Sequence, residues 1–172
     1  MTHCINCGAL ASMKIPPDDN RHRLVCDACG HVYYENPKLV VGILPYYENQ
    51  ILLCKRAIDP RKGKWTVPAG FMECDETLRE GALREAQEEA HIDINIKQLY
   101  VIYSVPKVNQ VHMIYLGELR QKQWKNGIET AAIDLFTFDH IPWDEIAFAS
   151  ISFSLEKYIQ DFKTQGFSLY DV

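Results

Sequence analysis

The sequence predicts an α/β domain preceded by a small cysteine-bearing unit. Three features carry that expectation. Five short segments are rich in β-branched and aromatic residues, two others have helical periodicity, and two Cys-x2-Cys-Gly units lie within the first 30 residues. At 172 residues the chain can hold one main core and an appendage, but not two full-sized cores. With 47% hydrophobic and 24% charged residues, the composition is that of an ordinary globular protein and excludes disordered and fibrous classes. No apolar run approaches the roughly 20 residues that span a bilayer; Leu39 to Leu44 is interrupted by Gly42 and stopped by Pro45. The net charge of -5, from 18 basic and 23 acidic residues, disfavours nucleic acid as a partner. The N-terminal MTHCINCGAL has neither the basic stretch nor the apolar segment of a secretory signal. A reducing, cytoplasmic setting without disulfides is therefore expected.

The first element is the pair of units Cys4-x2-Cys7 and Cys26-x2-Cys29, separated by 18 residues and followed by Gly8 and Gly30. Thiolates two apart in a tight turn can face one ion, and four of them close a tetrahedral zinc site with no position left for catalytic water. The alternative is four unrelated core cysteines, against which the repetition of the unit counts. Pro16 to Asn20 reads as a turn and Arg23 to Val25 as a short strand, which makes residues 1–35 a zinc ribbon. Three basic residues there (Lys14, Arg21, Arg23) face four acidic ones (Asp18, Asp19, Asp27, Glu35), a balance opposed to nucleic-acid binding. So small a module depends on its metal for most of its folding free energy, on the order of 10 kcal/mol.

The main domain is expected over residues 36–172. Asn36-Pro37 breaks the chain, because a residue before proline avoids helix, and Lys38 to Leu44 then reads as a strand. Gln50 to Arg56 is its hairpin partner across Glu48-Asn49, and Asp59 to Gly63 is a polar loop. Further strands are expected at Gln98 to Val105, Val111 to Leu119 and Ala132 to Phe138. Phe148, Ile151, Leu155, Tyr158, Ile159 and Phe162 recur at helical spacing and predict a C-terminal amphipathic helix.

The chemistry concentrates in Gly70 to Ile92. Thr77 with Glu80 forms a capping box, and Leu78, Ala82, Leu83, Ala86 and Ala90 give the apolar face of a helix running to about Ala90. Glu85, Glu88 and Glu89 stand at i, i+3 and i+4 on that helix. Taken alone, such a cluster is a solvated helix face, since each like-charged pair costs only about 0.2–0.5 kcal/mol at the surface. The preceding Pro68-Ala69-Gly70 reads as a turn that can present a carbonyl beside the same carboxylates. Hard oxygen donors of this kind suit Mg²⁺ or Mn²⁺, which bind phosphate oxygens jointly with the protein.

Gly70, five residues, Glu76, seven residues, Arg84-Glu85-Ala86-Gln87-Glu88-Glu89, one residue and Ile92 closely resemble the Nudix box. The likeness extends to the cysteine units, Asn36-Pro37-Lys38, Arg56 to Arg61, Trp65 to Glu73 and Gln110 to Met113. Together these resemble zinc-ribbon Nudix hydrolases similar to plant FAD and ADP-ribose diphosphatases. The resemblance implies an α/β/α sandwich on a mixed sheet, with catalytic Mg²⁺ or Mn²⁺ held by Glu85, Glu88, Glu89 and the carbonyl of Gly70. It also implies that Glu76 and Arg84 form a supporting pair. Glu129 is the candidate for a further ligand or base, although Ala132 stands where relatives carry another acid. His91 stands where the family usually has glycine after the helix, and because histidine tolerates the left-handed conformation only at some cost, the departure bears on the helix exit and not on the metal ligands. The proline- and tryptophan-rich segment of zinc-bearing NADH diphosphatases has no counterpart in Asn95 to Gln110, which demotes NADH as substrate.

The implied reaction is attack of water on one phosphorus of a dinucleotide diphosphate, a glutamate taking the proton, to give two monophosphates including AMP. Arg56 and Arg61, with Lys64, are candidate phosphate ligands, each equally readable as a solvated surface cation. Trp65 reads as core, Cys54 and Cys74 as inert thiols, and His112 as either pocket-lining or an ordinary strand residue. The alternative to a hydrolase is a catalytically weak Nudix-like nucleotide sensor or partner-binding module. Three mutually repelling carboxylates favour the enzyme. The sequence does not separate FAD from ADP-ribose, and it admits a homodimer without requiring one.

Overall fold

A computed structural model describes residues 3–172. It divides into two compact units, Met1–Pro37 and Lys38–Val172.

The first unit is a three-stranded antiparallel sheet of β1 (Ala11–Lys14), β2 (Arg23–Cys26) and β3 (Val32–Tyr33), in that order. The sequence pattern anticipated β2 alone, since β1 is largely exposed and β3 is only two residues long. Cys4, Pro16, Val25 and Cys26 are the only buried apolar residues described in this unit, too few for a self-sufficient core. The four cysteine sulfurs lie within 4.8 Å of one another, with Cys4 Sγ 3.7 Å from Cys29 Sγ and Cys7 Sγ 3.5 Å from Cys26 Sγ. A tetrahedral zinc with Zn–S bonds of about 2.3 Å sets its sulfurs about 3.8 Å apart, so the donor set fits such an ion. Gly8 and Gly30 turn the chain after each pair with φ of 74° and 72°, the conformation that favours glycine. The amides of Asn6 and Cys29 point at Cys4 Sγ and Cys26 Sγ, both at 3.4 Å. A hydrogen bond from Tyr33 is the largest influence drawing the Cys4 thiol down to about 6, toward the thiolate a metal needs. Cys26→Ser is therefore expected to release the metal and unfold residues 3–37 while leaving the second unit folded. Metal content and limited proteolysis measure both halves, and a wild-type protein without bound zinc would contradict it.

The second unit is built on a mixed sheet ordered β10-β5-β4-β9-β8-β11. Its strands are β4 (Lys38–Tyr47), β5 (Gln50–Arg56), β8 (Ile94–Val105), β9 (Gln110–Leu119), β10 (Thr130–Thr137) and β11 (Tyr170–Asp171). The short strands β6 (Trp65–Thr66) and β7 (Ala69–Phe71) pair with β5 and β4. β4 runs parallel to β9 and β11 parallel to β8, while the other pairings are antiparallel. Strand alternation serves two layers. Val41, Ile43, Leu52 and Cys54 pack against Ala82, Ala86 and Ala90 of α1 (Leu78–Ala90). Leu44, Ile51, Leu53, Val101 and Ile114 pack against Ile151, Leu155 and Tyr158 of α2 (Ala149–Thr164). The expected α/β/α sandwich is thus present, and no described helix is long and apolar enough to cross a membrane.

Three expectations are corrected. Leu83 lies outside the buried face of α1 and is exposed, because the alanines at 82, 86 and 90 already meet the sheet. Pro68-Ala69-Gly70 is not a free turn, since Ala69 and Gly70 belong to β7, with Gly70 opposite Val41. β8 begins at Ile94 rather than Gln98, its buried Ile94 and Ile96 alternating with exposed Asn95 and Lys97.

Candidate active site

Helix α1 starts where Thr77 accepts a hydrogen bond from the Glu80 amide while the Glu80 carboxylate accepts one from the Thr77 amide at 2.9 Å. It ends at His91, whose φ of 51° is left-handed and whose amide reaches the Gln87 carbonyl. With both ends fixed, the helix presents Glu85 and Glu89 toward β7 and leaves Glu88 at the rim. Glu85 and Glu89 are 9% and 8% exposed, so these are not the carboxylates of a solvated helix face. Burial raises the Glu85 carboxyl above its usual range. Burial, and then the neighbouring charge of Glu85, pushes Glu89 up to about 8.

Gly70 and Arg84 position the cluster. A Cβ on Gly70 would stand 2.6 Å from Glu85 Oε2. Glycine is needed there for close approach, and its φ is not among the positive ones. Ala69 of the same strand donates its amide to Glu89 Oε2 at 3.3 Å. Arg84 grips Glu76 with two bonds, Nε to Oε2 at 2.9 Å and Nη2 to Oε1 at 2.8 Å. It also reaches the Phe71 carbonyl at 3.0 Å, Glu85 Oε1 at 2.6 Å and Glu88 Oε2 at 3.2 Å. The Arg84 guanidinium holds Glu76 down to about 2, while Glu76 in turn raises Arg84, so both stay charged. One guanidinium therefore ties the loop, the strand and two glutamates together.

The opposite wall comes from a segment between β9 and β10. Lys125 and Gly127 donate their amides to the carbonyls of Ala90 and Glu89, both at 3.0 Å, which clamps the segment to the end of α1. A Cβ on Gly127 would collide with the Glu88 carbonyl oxygen. Between this wall and β7 lies a cavity of about 850 Å³, within the range of small-molecule sites, lined by Gly70, Arg84, Glu85, Glu88, Glu89 and Glu129 among others. His91, Lys125 and Asn126 also face it. The sequence reading gave none of these a role in the site, and the only signal for the segment is the Asn126-Gly127 dipeptide, a turn signature. Glu129 lies close enough for its charge to raise both Glu85 and Glu89.

Arg56 acts on Glu89 in the opposite electrostatic sense, donates Nε to the Pro60 carbonyl at 2.8 Å and lies 5.3 Å over the Phe148 ring. Arg61 is exposed in the following turn with φ of 66° and lines neither this cavity nor the smaller one beside it. Trp65 packs edge-on against Phe136 as a core residue. Cys54 is buried in β5 and Cys74 is exposed.

His112 lines the smaller cavity and is 9% exposed. Burial holds its imidazole below the ordinary value. The unfolded chain therefore takes up this proton first, and the stability present above the unfolded imidazole pKa is lost as pH falls through the depressed folded one. Between about pH 7 and about pH 5, melting temperatures of the wild type are expected to fall relative to those of His112→Asn. Parallel melting curves for the two proteins would contradict this.

As a donor set, Glu85, Glu88, Glu89 and Glu129 offer only hard oxygens. Their donor type suits a divalent ion of the Mg²⁺ or Mn²⁺ kind, while among the described residues only the four cysteines already bring three or more donor atoms within 4.8 Å of one another. The NUDIX domain model matches residues 36–160, and the Nudix N-terminal zinc-ribbon model matches residues 2–35. An ADP-ribose pyrophosphatase of Methanocaldococcus jannaschii is 29% identical over 133 residues, 75% of each chain. The NAD-capped RNA hydrolase NudC of Photorhabdus laumondii is 31% identical over 125 residues. That match covers 69% of this chain but 46% of the relative, so this chain spans about half of that protein's length. The crystal structure of a NUDIX hydrolase from Nitrosomonas europaea superposes with a TM-score of 0.92 at 42% identity, covering 100% of this chain and 99% of its own.

Proposed function

The chain belongs to the Nudix hydrolase family, and from that premise we propose that it cleaves the diphosphate of a nucleoside-diphosphate-linked compound, ADP-ribose first, to AMP and a second monophosphate. The observation that carries this reading is the convergence of Glu85, Glu88 and Glu89 beside Gly70, two of them buried, on a cavity of about 850 Å³. ADP-ribose ranks ahead of FAD on the likeness to the archaeal ADP-ribose pyrophosphatase.

In this reading Glu85, Glu88, Glu89 and the Gly70 carbonyl hold Mg²⁺ or Mn²⁺. Such an ion, when bound, neutralises phosphate oxygens and makes a bound water more acidic. Lys125 lines the cavity and brings positive charge for the diphosphate, while Arg56, whose charge reaches Glu89, and Arg61 both lie outside the lining. Glu129 faces the cluster and accepts the proton of the attacking water. Arg84, held by Glu76, keeps Glu85 and Glu88 aimed at one place, which is the preorganisation that electrostatic catalysis requires. The cysteine cluster takes zinc and serves the fold of its own unit.

The likeness to NAD-capped RNA hydrolases favours a second reading, in which an NAD-type diphosphate is cleaved at the same site. Incubation with ADP-ribose, FAD, NADH and an NAD-capped oligonucleotide, each with Mg²⁺ or Mn²⁺, tests both. Fastest turnover of ADP-ribose is the expected result. Preference for the capped oligonucleotide supports the second reading, and binding of all four without turnover of any would overturn both in favour of a sensor.

A further inference from the structure

Beside the carboxylate cavity lies a smaller one of about 160 Å³, and the two share Ala69, Gly70 and Phe71. It is below the usual volume of a whole ligand site, so it suits one end of a ligand whose remainder lies next door. Its wall is mostly apolar, including Val40, Ile114, Phe71 and Phe148, and no acidic or basic chain other than the buried His112 contributes to it. A sugar phosphate would lose its hydration there without compensation, whereas a neutral aromatic ring would not.

The polar part of that wall is ordered. Ser150 is 2% exposed, and its Oγ lies 2.7 Å from His112 Nδ1, while His112 Nε2 lies 3.1 Å from Gln110 Oε1. Because an amide oxygen faces Nε2, that nitrogen carries the ring proton. Nδ1 is then the acceptor, and the Ser150 hydroxyl donates to it. The chain of donors fixes which way the Gln110 amide points. Gln110 lines the cavity and its NH₂ group makes no hydrogen bond to another described residue, so that group remains a donor beside the second lone pair of Oε1. The two cavities are joined through the Ala69 to Phe71 strand that lines both.

We propose that this smaller cavity receives the base of the substrate and that Gln110, oriented by His112 and Ser150, reads it as adenine. An acceptor beside a donor on the amide complements the exocyclic amine and ring nitrogen of adenine. On that N7 edge hypoxanthine presents two acceptors, O6 and N7, and O6 meets the Gln110 carbonyl oxygen unfavourably. Gln110 and His112 thereby become specificity-determining residues for a site that makes no contact with the reacting phosphorus. The inference rests on the diphosphatase reading only in placing the diphosphate at the carboxylates.

Its test uses adenosine and inosine, which have no phosphate and need no metal. Titration of the full chain, followed by NMR at the His112 ring, is expected to show adenosine binding about tenfold tighter than inosine, a difference one or two well-placed hydrogen bonds supply. Gln110→Leu should erase the preference, and Ser150→Ala, which frees the imidazole, should reduce it. If Gln110→Leu does not fold, Gln110→Glu keeps the shape and removes the donor, with the same loss expected. Equal affinities in the wild type, binding of neither nucleoside, or a preference that survives at Gln110 would each overturn the proposal. Adenosine selectivity in a protein that cleaves no diphosphate would leave this cavity assigned and reject the hydrolase reading instead.

Discussion

Replacing Glu89 by glutamine is expected to abolish hydrolysis while making the protein without added metal harder to melt. Glu89 is 8% exposed, its neighbour Glu85 is also buried, and its carboxyl is pushed up to about 8. Glutamine keeps the shape and retains an oxygen to accept the Ala69 amide, so no cavity opens. Burial and the charge of Glu85 hold this carboxyl protonated up to about pH 8, a cost to folding at neutral pH that glutamine removes, so the expected gain is about 2 kcal/mol, or roughly 4–8 °C in melting temperature. The same substitution removes a ligand from the cation site and should lower kcat on the order of 10³-fold. Activity within tenfold of wild type in saturating Mg²⁺, or a lower melting temperature, would contradict the assignment. A gain in stability with a loss of function is the mark of a residue kept for chemistry against the interest of the fold.

Gly70→Ala should lose activity for a different reason. The strand conformation at Gly70 accepts alanine, but the new methyl would stand within 2.6 Å of Glu85 Oε2, so the Glu85 carboxylate has to move. That carboxylate is bonded to Arg84 Nη1 at 2.6 Å, and its displacement disturbs the contact that also restrains Glu88. A misplacement on the order of 1 Å at a reacting site costs about 10²-fold. The expected result is that loss in kcat/KM with a melting temperature within a few degrees of wild type, because only the end of a side chain yields. Full activity would show that Glu85 is free to reposition and that the close approach at Gly70 is incidental.

The helix was legible because its signals are local. Thr77 and Glu80 mark its start, the alanine spacing marks its buried face, and His91 in the place of glycine still completes the left-handed exit. The cysteine units are legible for the same reason, as fixed spacing and a glycine with positive φ are written within five residues. What lay outside the sequence pattern depends on distant partners. β7 is three residues long and is a strand only because β4 lies opposite it. The buried state of Glu85 and Glu89 could not be read from their spacing, since the same spacing serves a solvated helix; the sheet and the 120–129 segment bury them. Lys125 and Gly127 reach the site through backbone bonds to Glu89 and Ala90, 35 residues or more earlier in the chain, and nothing in their own identities announces that. His112 was ambiguous until Ser150, from another layer, was placed against its ring.

Hydrolysis of ADP-ribose in heavy-oxygen water, with Mg²⁺ present, tests the central claim most directly. In the proposed reading Glu85, Glu88 and Glu89 hold the cation at the diphosphate, which makes phosphorus the electrophile. The predicted result is AMP and ribose 5-phosphate in equal amounts, with a heavy oxygen on the phosphate of one of them and none on a ribose hydroxyl. Orthophosphate as the primary product, label on the sugar, or hydrolysis that proceeds unchanged after the divalent cation is chelated would contradict the account.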